Sequence, residues 1–173
     1  MKLWYDLSVG TGPWLTAEQQ DAWRALLEVT RLLESALDRQ LQRDAHMPHA
    51  YYGLLVALAE QQEGRWGLSA LASQVDFSQS RLTHALKRME SFGWVRREPR
   101  ADNGREKDAV LTAEGRAALA AAAPGHVALV RELVFESLSA AQVSQLRQVC
   151  ESLLPALVRQ SPKKAAGDLG EIL

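Results

Sequence analysis

The stretch Asp76–Glu90, "DFSQSRLTHALKRME", decides how this chain is read. Leu82, Ala85, Leu86 and Met89 recur at helical spacing and form one apolar stripe. At about 100° per residue, the opposite side carries Ser80, His84 and Lys87, flanked by Arg81, Thr83 and Arg88. Ser78 is placed to cap free backbone N–H groups. Gln79 sits on the first turn, where a side chain can project past the helix end. The pattern predicts an amphipathic helix over 78–92. On its own, the polar side reads first as an ordinary wet face.

The neighbours on either side change that reading. Before it, "LSALASQV" (Leu68–Val75) is a short amphipathic helix, joined through the three-residue turn "DFS". That is helix-turn-helix spacing, with the second helix as the recognition element. After it, "WVRREP" (Trp94–Pro99) and "DAVLT" (Asp108–Thr112) predict two strands, and the Asn-Gly of "RADNG" favours a turn. The hairpin tip holds Arg100, Arg105 and Lys107. A basic-tipped hairpin directly after a helix-turn-helix is a winged helix, a much more specific signal than either part.

The chemistry follows. The major groove presents bases as donor and acceptor patterns, which Ser78, Gln79, Ser80, Arg81, Thr83 and His84 can match. Lys87, Arg88, Arg96 and Arg97 suit phosphates. Arg105 suits a narrow minor groove. Charge supports this. The formal net charge of the 173 residues is -1, yet Ser78–Lys107 holds eight basic residues against four acidic ones. An acidic body with one basic segment is suited to local contact with a polyanion.

Other segments frame this unit. Residues 1–14 read as an arm broken by Gly10, Gly12 and Pro13. Thr16 and Gln19 form a capping-box pattern ahead of a long helix whose apolar positions Leu26, Val29, Leu33, Leu37 and Leu41 run to about Arg43. Pro48 opens a second helix, His49–Gln62, which "EGRWG" ends. Thr112 caps a fifth, in which Pro124 predicts a kink near 120–123. Ser139, with Gln142, caps a sixth that runs to about Leu157 or Val158. Residues 161–173 read as a polar tail. The fold class is mainly α with a small β-hairpin wing.

The recognition helix and wing together resemble the MarR (multiple antibiotic resistance regulator) family of winged-helix transcription factors. The family's recognition helix is written approximately L-S-x-S-x-V-T-R, then R-L-E-x-x-G. Here "FSQSRLTHALKRMESFG" keeps Ser78, Ser80, Thr83, Arg88, Glu90 and Gly93. The family's wing motif, D-x-R followed by V-x-L-T, is matched by "NGREKDAVLTAEGRAAL", with Arg105 seven residues before Thr112. Two positions depart from the pattern: His84 stands where Arg is usual, and Asn103 where Asp is usual, beside Asp102. The resemblance covers roughly 15–157. It implies a homodimer, with residues 15–45 and 113–160 forming the dimerisation region and 46–112 the DNA-binding domain. The function it implies is a transcriptional regulator, in the first instance a repressor, on a pseudo-palindromic double-stranded operator. Some relatives bind small aromatic acids between bundle and wing. Trp23, Arg24, His49, Tyr51 and Tyr52 are the candidate lining here, against the simpler reading as core packing. The alternative function is a winged-helix module that docks on protein.

Other chemistry finds little support. One cysteine, Cys150, cannot form a disulfide framework or a four-cysteine metal site. His46 and His49 are interrupted by Pro48 and lack a third ligand, so no metal is expected. No cofactor is expected, and no nucleophile–base pair, phosphate-cradling loop or paired carboxylates suggest an enzyme. No apolar run nears the roughly 20 residues of a membrane span, which predicts a soluble, cytoplasmic protein without a membrane partner.

Overall fold

The computed structural model describes residues 14–100 and 106–160. The chain divides into two compact units, residues 1–34 and 35–173. In the first, the capping box forms as the sequence implies. The Thr16 amide donates to Gln19 Oε1 at 2.9 Å and the Gln19 amide to Thr16 Oγ1 at 3.2 Å. Two otherwise orphaned donors are satisfied, and helix α1 (Ala17–Ala45) begins there. Trp23, Leu26, Leu27, Val29 and Leu32 of this segment are exposed.

The second unit follows the order α2 (His49–Ala59), β1 (Arg65–Gly67), α3 (Leu68–Gln74), α4 (Gln79–Ser91), β2 (Val95–Pro99), β3 (Lys107–Leu111), α5 (Ala113–Val130) and α6 (Ala140–Gln160). Its core joins Leu41 of α1 to Leu54, Leu55 and Leu58 of α2, Leu71 of α3, and Leu82, Leu86 and Met89 of α4. All eight are essentially inaccessible to solvent. Truncating any one of these leucines to Ala costs about 2–5 kcal/mol. Val95, Ala109 and Leu111 lay the sheet over this core. α6 starts as expected, with the Gln142 amide donating to Ser139 Oγ at 3.3 Å. It runs to Gln160, through Pro155 and past the expected end.

Three expectations need correction. The wing is a three-stranded sheet of order β1-β3-β2, because "RWG" pairs antiparallel with β3, Trp66 opposite Ala109. Three residues are too few to show strand alternation, so the free edge of β3 decides the pairing. α2 ends at Ala59, and Gln62–Gly64 makes a single 3₁₀ turn instead of a last turn of helix. Ala113–Phe135 is also long and apolar enough, by length and composition, to cross a membrane, with a mean hydropathy of 1.4. Leu119, Val127, Leu129, Val130, Leu133, Val134 and Phe135 supply most of this value and the alanines the rest. α5 packs on α2 and buries Ala122. The helix continues through Pro124 to Val130 and then widens into a π turn, Arg131–Phe135. There the Glu136 amide donates to the Arg131 carbonyl at 2.9 Å.

Candidate nucleic-acid interface

The turn between α3 and α4 is built by two backbone hydrogen bonds. The Phe77 amide donates to the Ala72 carbonyl at 2.9 Å and the Asp76 amide to the Ser73 carbonyl at 3.3 Å. This is the Schellman closure of a helix. Its left-handed position is Asp76, with φ of 52°, where a short polar side chain is tolerated. α4 then starts at once, with the Arg81 amide donating to Ser78 Oγ at 3.1 Å. The same closure ends α4. The Trp94 amide reaches the Met89 carbonyl at 3.0 Å and the Gly93 amide the Glu90 carbonyl at 2.9 Å, with Gly93 at φ of 74°. The Glu-x-x-Gly spacing in the sequence is thus a helix stop, one that glycine makes without steric cost.

Leu82, Ala85, Leu86 and Met89 are buried, so the apolar stripe of α4 faces the core as expected. Ser78, Gln79, Ser80, Arg81, Thr83, His84, Lys87 and Arg88 are all exposed. The Arg81 guanidinium lies over the Phe77 ring, 3.9 Å from its centroid, and that of Arg88 over Phe92 at 5.0 Å. The Thr83 hydroxyl donates to the Gln79 carbonyl at 2.8 Å, which leaves its methyl and oxygen lone pairs for a partner.

The wing behaves differently. Arg97 grips Glu90 through its backbone amide (3.1 Å), Nε (2.9 Å) and Nη2 (2.5 Å), tying the last turn of α4 to β2. The Arg97 guanidinium holds the Glu90 carboxyl below the usual carboxylate range, and Glu90 in turn raises Arg97. Arg96 and Arg65 both pair with Glu98, and they depress its carboxyl in that order. Arg65 also reaches the buried Asp108 at 3.2 Å. Arg100 pairs with Glu106 at 3.0 Å at the base of the loop. Arg105 lies outside the described residues. At the sheet's far end Thr112 Oγ1 donates to the Gly93 carbonyl at 2.6 Å and accepts from the Gly115 amide at 3.0 Å. A Cβ on Gly115 would stand 2.1 Å from the Trp94 carbonyl oxygen, so only glycine fits at this junction.

This geometry agrees with known proteins. The MarR family model matches residues 53–107, which span α2 to the start of β3. The structure of Sco3205 from Streptomyces coelicolor, a MarR family transcriptional regulator in complex with DNA, is 47% identical. It covers 86% of this chain and 93% of that one, with a TM-score of 0.80. The chain belongs to the MarR family. AbsC, a MarR family transcriptional regulator from the same organism, is 36% identical over 86% of this chain and 100% of its own, with a TM-score of 0.81. CouR from Rhodococcus jostii RHA1, bound to p-coumaroyl-CoA, is 24% identical over 80% of this chain and 95% of that one, with a TM-score of 0.68, and shares the fold. No curated protein matches the chain. MarR family members are transcriptional regulators with a DNA-binding winged helix, not enzymes.

The remaining candidates in this MarR protein separate. Tyr52 is buried in the core and Tyr51 packs against it. His49 and Tyr52 meet an imidazole the sequence reading missed, with His126 lying 5.6 Å from the His49 ring and 4.4 Å from that of Tyr52. Burial, then the neighbouring His49, pushes His126 below the usual histidine range. Its buried Nδ1 has no hydrogen-bond partner. The His49 amide donates to Asp38 Oδ1 at 2.9 Å, so Asp38 caps α2. In the first unit Trp23 is exposed and Arg24 pairs with Asp21 at 3.3 Å. Two shallow concavities on α5 and α6 include none of the five ligand candidates. Among the described residues no three histidine, cysteine or acidic side chains converge as a metal site. Cys150 is exposed on α6.

Proposed function

We propose that this MarR protein is a cytoplasmic, homodimeric repressor that binds a pseudo-palindromic operator sequence-specifically. One observation carries the reading: on α4 an exposed row of Gln, Ser, Arg, Thr, His and Lys sits opposite a fully buried stripe. Two copies of α4 would enter successive major grooves about 34 Å apart. Ser78, Gln79, Ser80, Arg81, Thr83 and His84 face base edges or nearby phosphates. Lys87 and Arg88 face phosphates, joined by Arg96 and Arg97 where these reach past their carboxylates. Arg105 enters the minor groove. Exposed Leu26, Val29, Leu133, Phe135, Leu153 and Leu157 support the dimer, since an apolar surface on this scale favours burial against a second copy. A small aromatic or anionic effector beside His49, Tyr51 and Tyr52 would relieve repression by changing the spacing of the two α4 helices. Loss of even a few kcal/mol ends specific binding in practice.

Selection of genomic fragments by the purified protein, followed by gel shift, tests the reading. Specific complexes at moderate salt and a dimer in sedimentation at micromolar concentration are expected. A protein that shifts no fragment specifically, even at low salt, would instead be a winged-helix module docking on protein.

A further inference from the structure

We infer that Arg81 is the base-reading arginine of this regulator, selecting a guanine, and that Phe77 is the residue that positions it. The inference deepens the operator-binding reading and rests on it. Phe77 serves two helices. It is the second residue past the Val75 C-cap of α3, where an apolar side chain packs back on the helix. It is also the residue before the Ser78 cap of α4, where an apolar side chain staples the first turn. Both tasks keep it buried, in one cluster with Leu71, Ala72 and Leu82. Both are served as well by leucine, so neither explains an aromatic ring. One contact that does need a ring is the one with Arg81, whose guanidinium lies 3.9 Å from its centroid.

Helix stability does not explain Arg81 either. It stands three residues after the Ser78 cap, where a capping box places Glu or Gln. A cation there opposes the helix dipole, and the first turn of α4 holds no acid to offset it. Arg65, Arg96, Arg97 and Arg100 each have a carboxylate. Among the described residues the Arg81 guanidinium has none, and it makes no hydrogen bond, only its backbone amide doing so. A guanidinium lying on a ring keeps its donors, which lie in its own plane, free. Those donors match guanine O6 and N7 as a pair. Arg81 is therefore desolvated on one side, held at the first turn of the recognition helix and open at its fork. His84 and Lys87 are exposed on the same helix, and among the described residues neither lies over an aromatic ring.

The test uses the operator selected by the wild-type protein and every single base-pair variant of it. R81A should lose about tenfold or more of discrimination at one G·C pair per half-site and keep its preference elsewhere. R81K should lose it too, because an ammonium has no fork. F77L should lower discrimination at that same pair about two- to fivefold. It should leave non-specific DNA affinity unchanged and lower thermal stability only by what a buried hydrophobic exchange costs, F77Y should restore the wild-type preference, and F77L should add nothing to the loss of discrimination in the R81A background. If R81A and R81K weaken all sequences alike, Arg81 touches phosphate and the inference is overturned. It is also overturned if F77L leaves base preference intact or weakens every sequence equally. A wild-type protein that selects no sequence overturns the operator reading first, and this inference with it. A wild type that selects normally beside an R81A with unchanged preference overturns this inference alone.

Discussion

On α4 the guanidiniums of Arg81 and Arg88 lie over aromatic rings, and among the described residues Lys87 has no carboxylate partner. On the strands of the wing Arg65, Arg96 and Arg97 are each held by Glu98, Asp108 or Glu90. The basic surplus of Ser78–Lys107 is thus unevenly available. Among the described residues, the arginines on the wing's strands brace the sheet and the end of α4, while α4 keeps its cations clear of carboxylates. One surface is held so that the other can present charge, and the two should fail in different ways when mutated.

The largest difference is expected at the junction that holds the wing. Gly115→Val places a side chain where a Cβ already stands 2.1 Å from the Trp94 carbonyl oxygen. It should cost about 3 kcal/mol or more, read as a lower urea midpoint, whereas Ser80→Ala on the open face of α4 should change stability by less than about 0.5 kcal/mol. Equal midpoints would mean that the junction yields. Next comes the clamp. Glu90→Gln removes a charged acceptor from three Arg97 donors and should cost about 2 kcal/mol. Its pH dependence has a definite sign. Arg97 depresses the Glu90 carboxyl in the fold, so the contribution is complete above the unfolded value of about 4.3. It is lost as pH falls through the lower folded value. The wild type should lose stability towards acid more steeply than Glu90→Gln. Parallel acid limbs would place the clamp's strength elsewhere.

The parts of this design that were legible in the sequence are local. The capping boxes at Thr16 and Ser139, the stripe of α4 and the three-residue turn each depend on residues within one or two helical turns. The exposed face of α4 follows from the stripe. Contacts between elements were not legible. Arg97 read as a phosphate ligand because nothing in a linear pattern shows that Glu90 folds onto it, whereas Glu98 stands two residues from Arg96 on the same face of β2, a pairing the pattern did hold. His126 approaches His49 only once α5 packs on α2. β1 was invisible because its pairing is decided by β3, not by its own three residues. The hydropathy of Ala113–Phe135 was not legible as a continuous apolar run because Pro124, Gly125, His126, Arg131 and Glu132 interrupt it, and only the average over the window is high.

The smallest effects distinguish an open cation from a paired one on the DNA itself. Each phosphate contact contributes about 0.9 to the slope of log affinity against log salt. Lys87→Ala should lower that slope by nearly this amount and weaken all sequences about equally, with an unchanged fold. Arg96→Ala should lower it less, because Arg96 must first share itself with Glu98 and its charge is partly neutralised before DNA arrives. Titrations of both variants at several salt concentrations give the two slopes directly. Were they equal, Arg96 would leave Glu98 on binding, and the division between open and braced cations would describe only the free protein. A flat response for Lys87→Ala would remove Lys87 from the phosphate backbone, leaving Arg88 as the α4 cation to test in the same way.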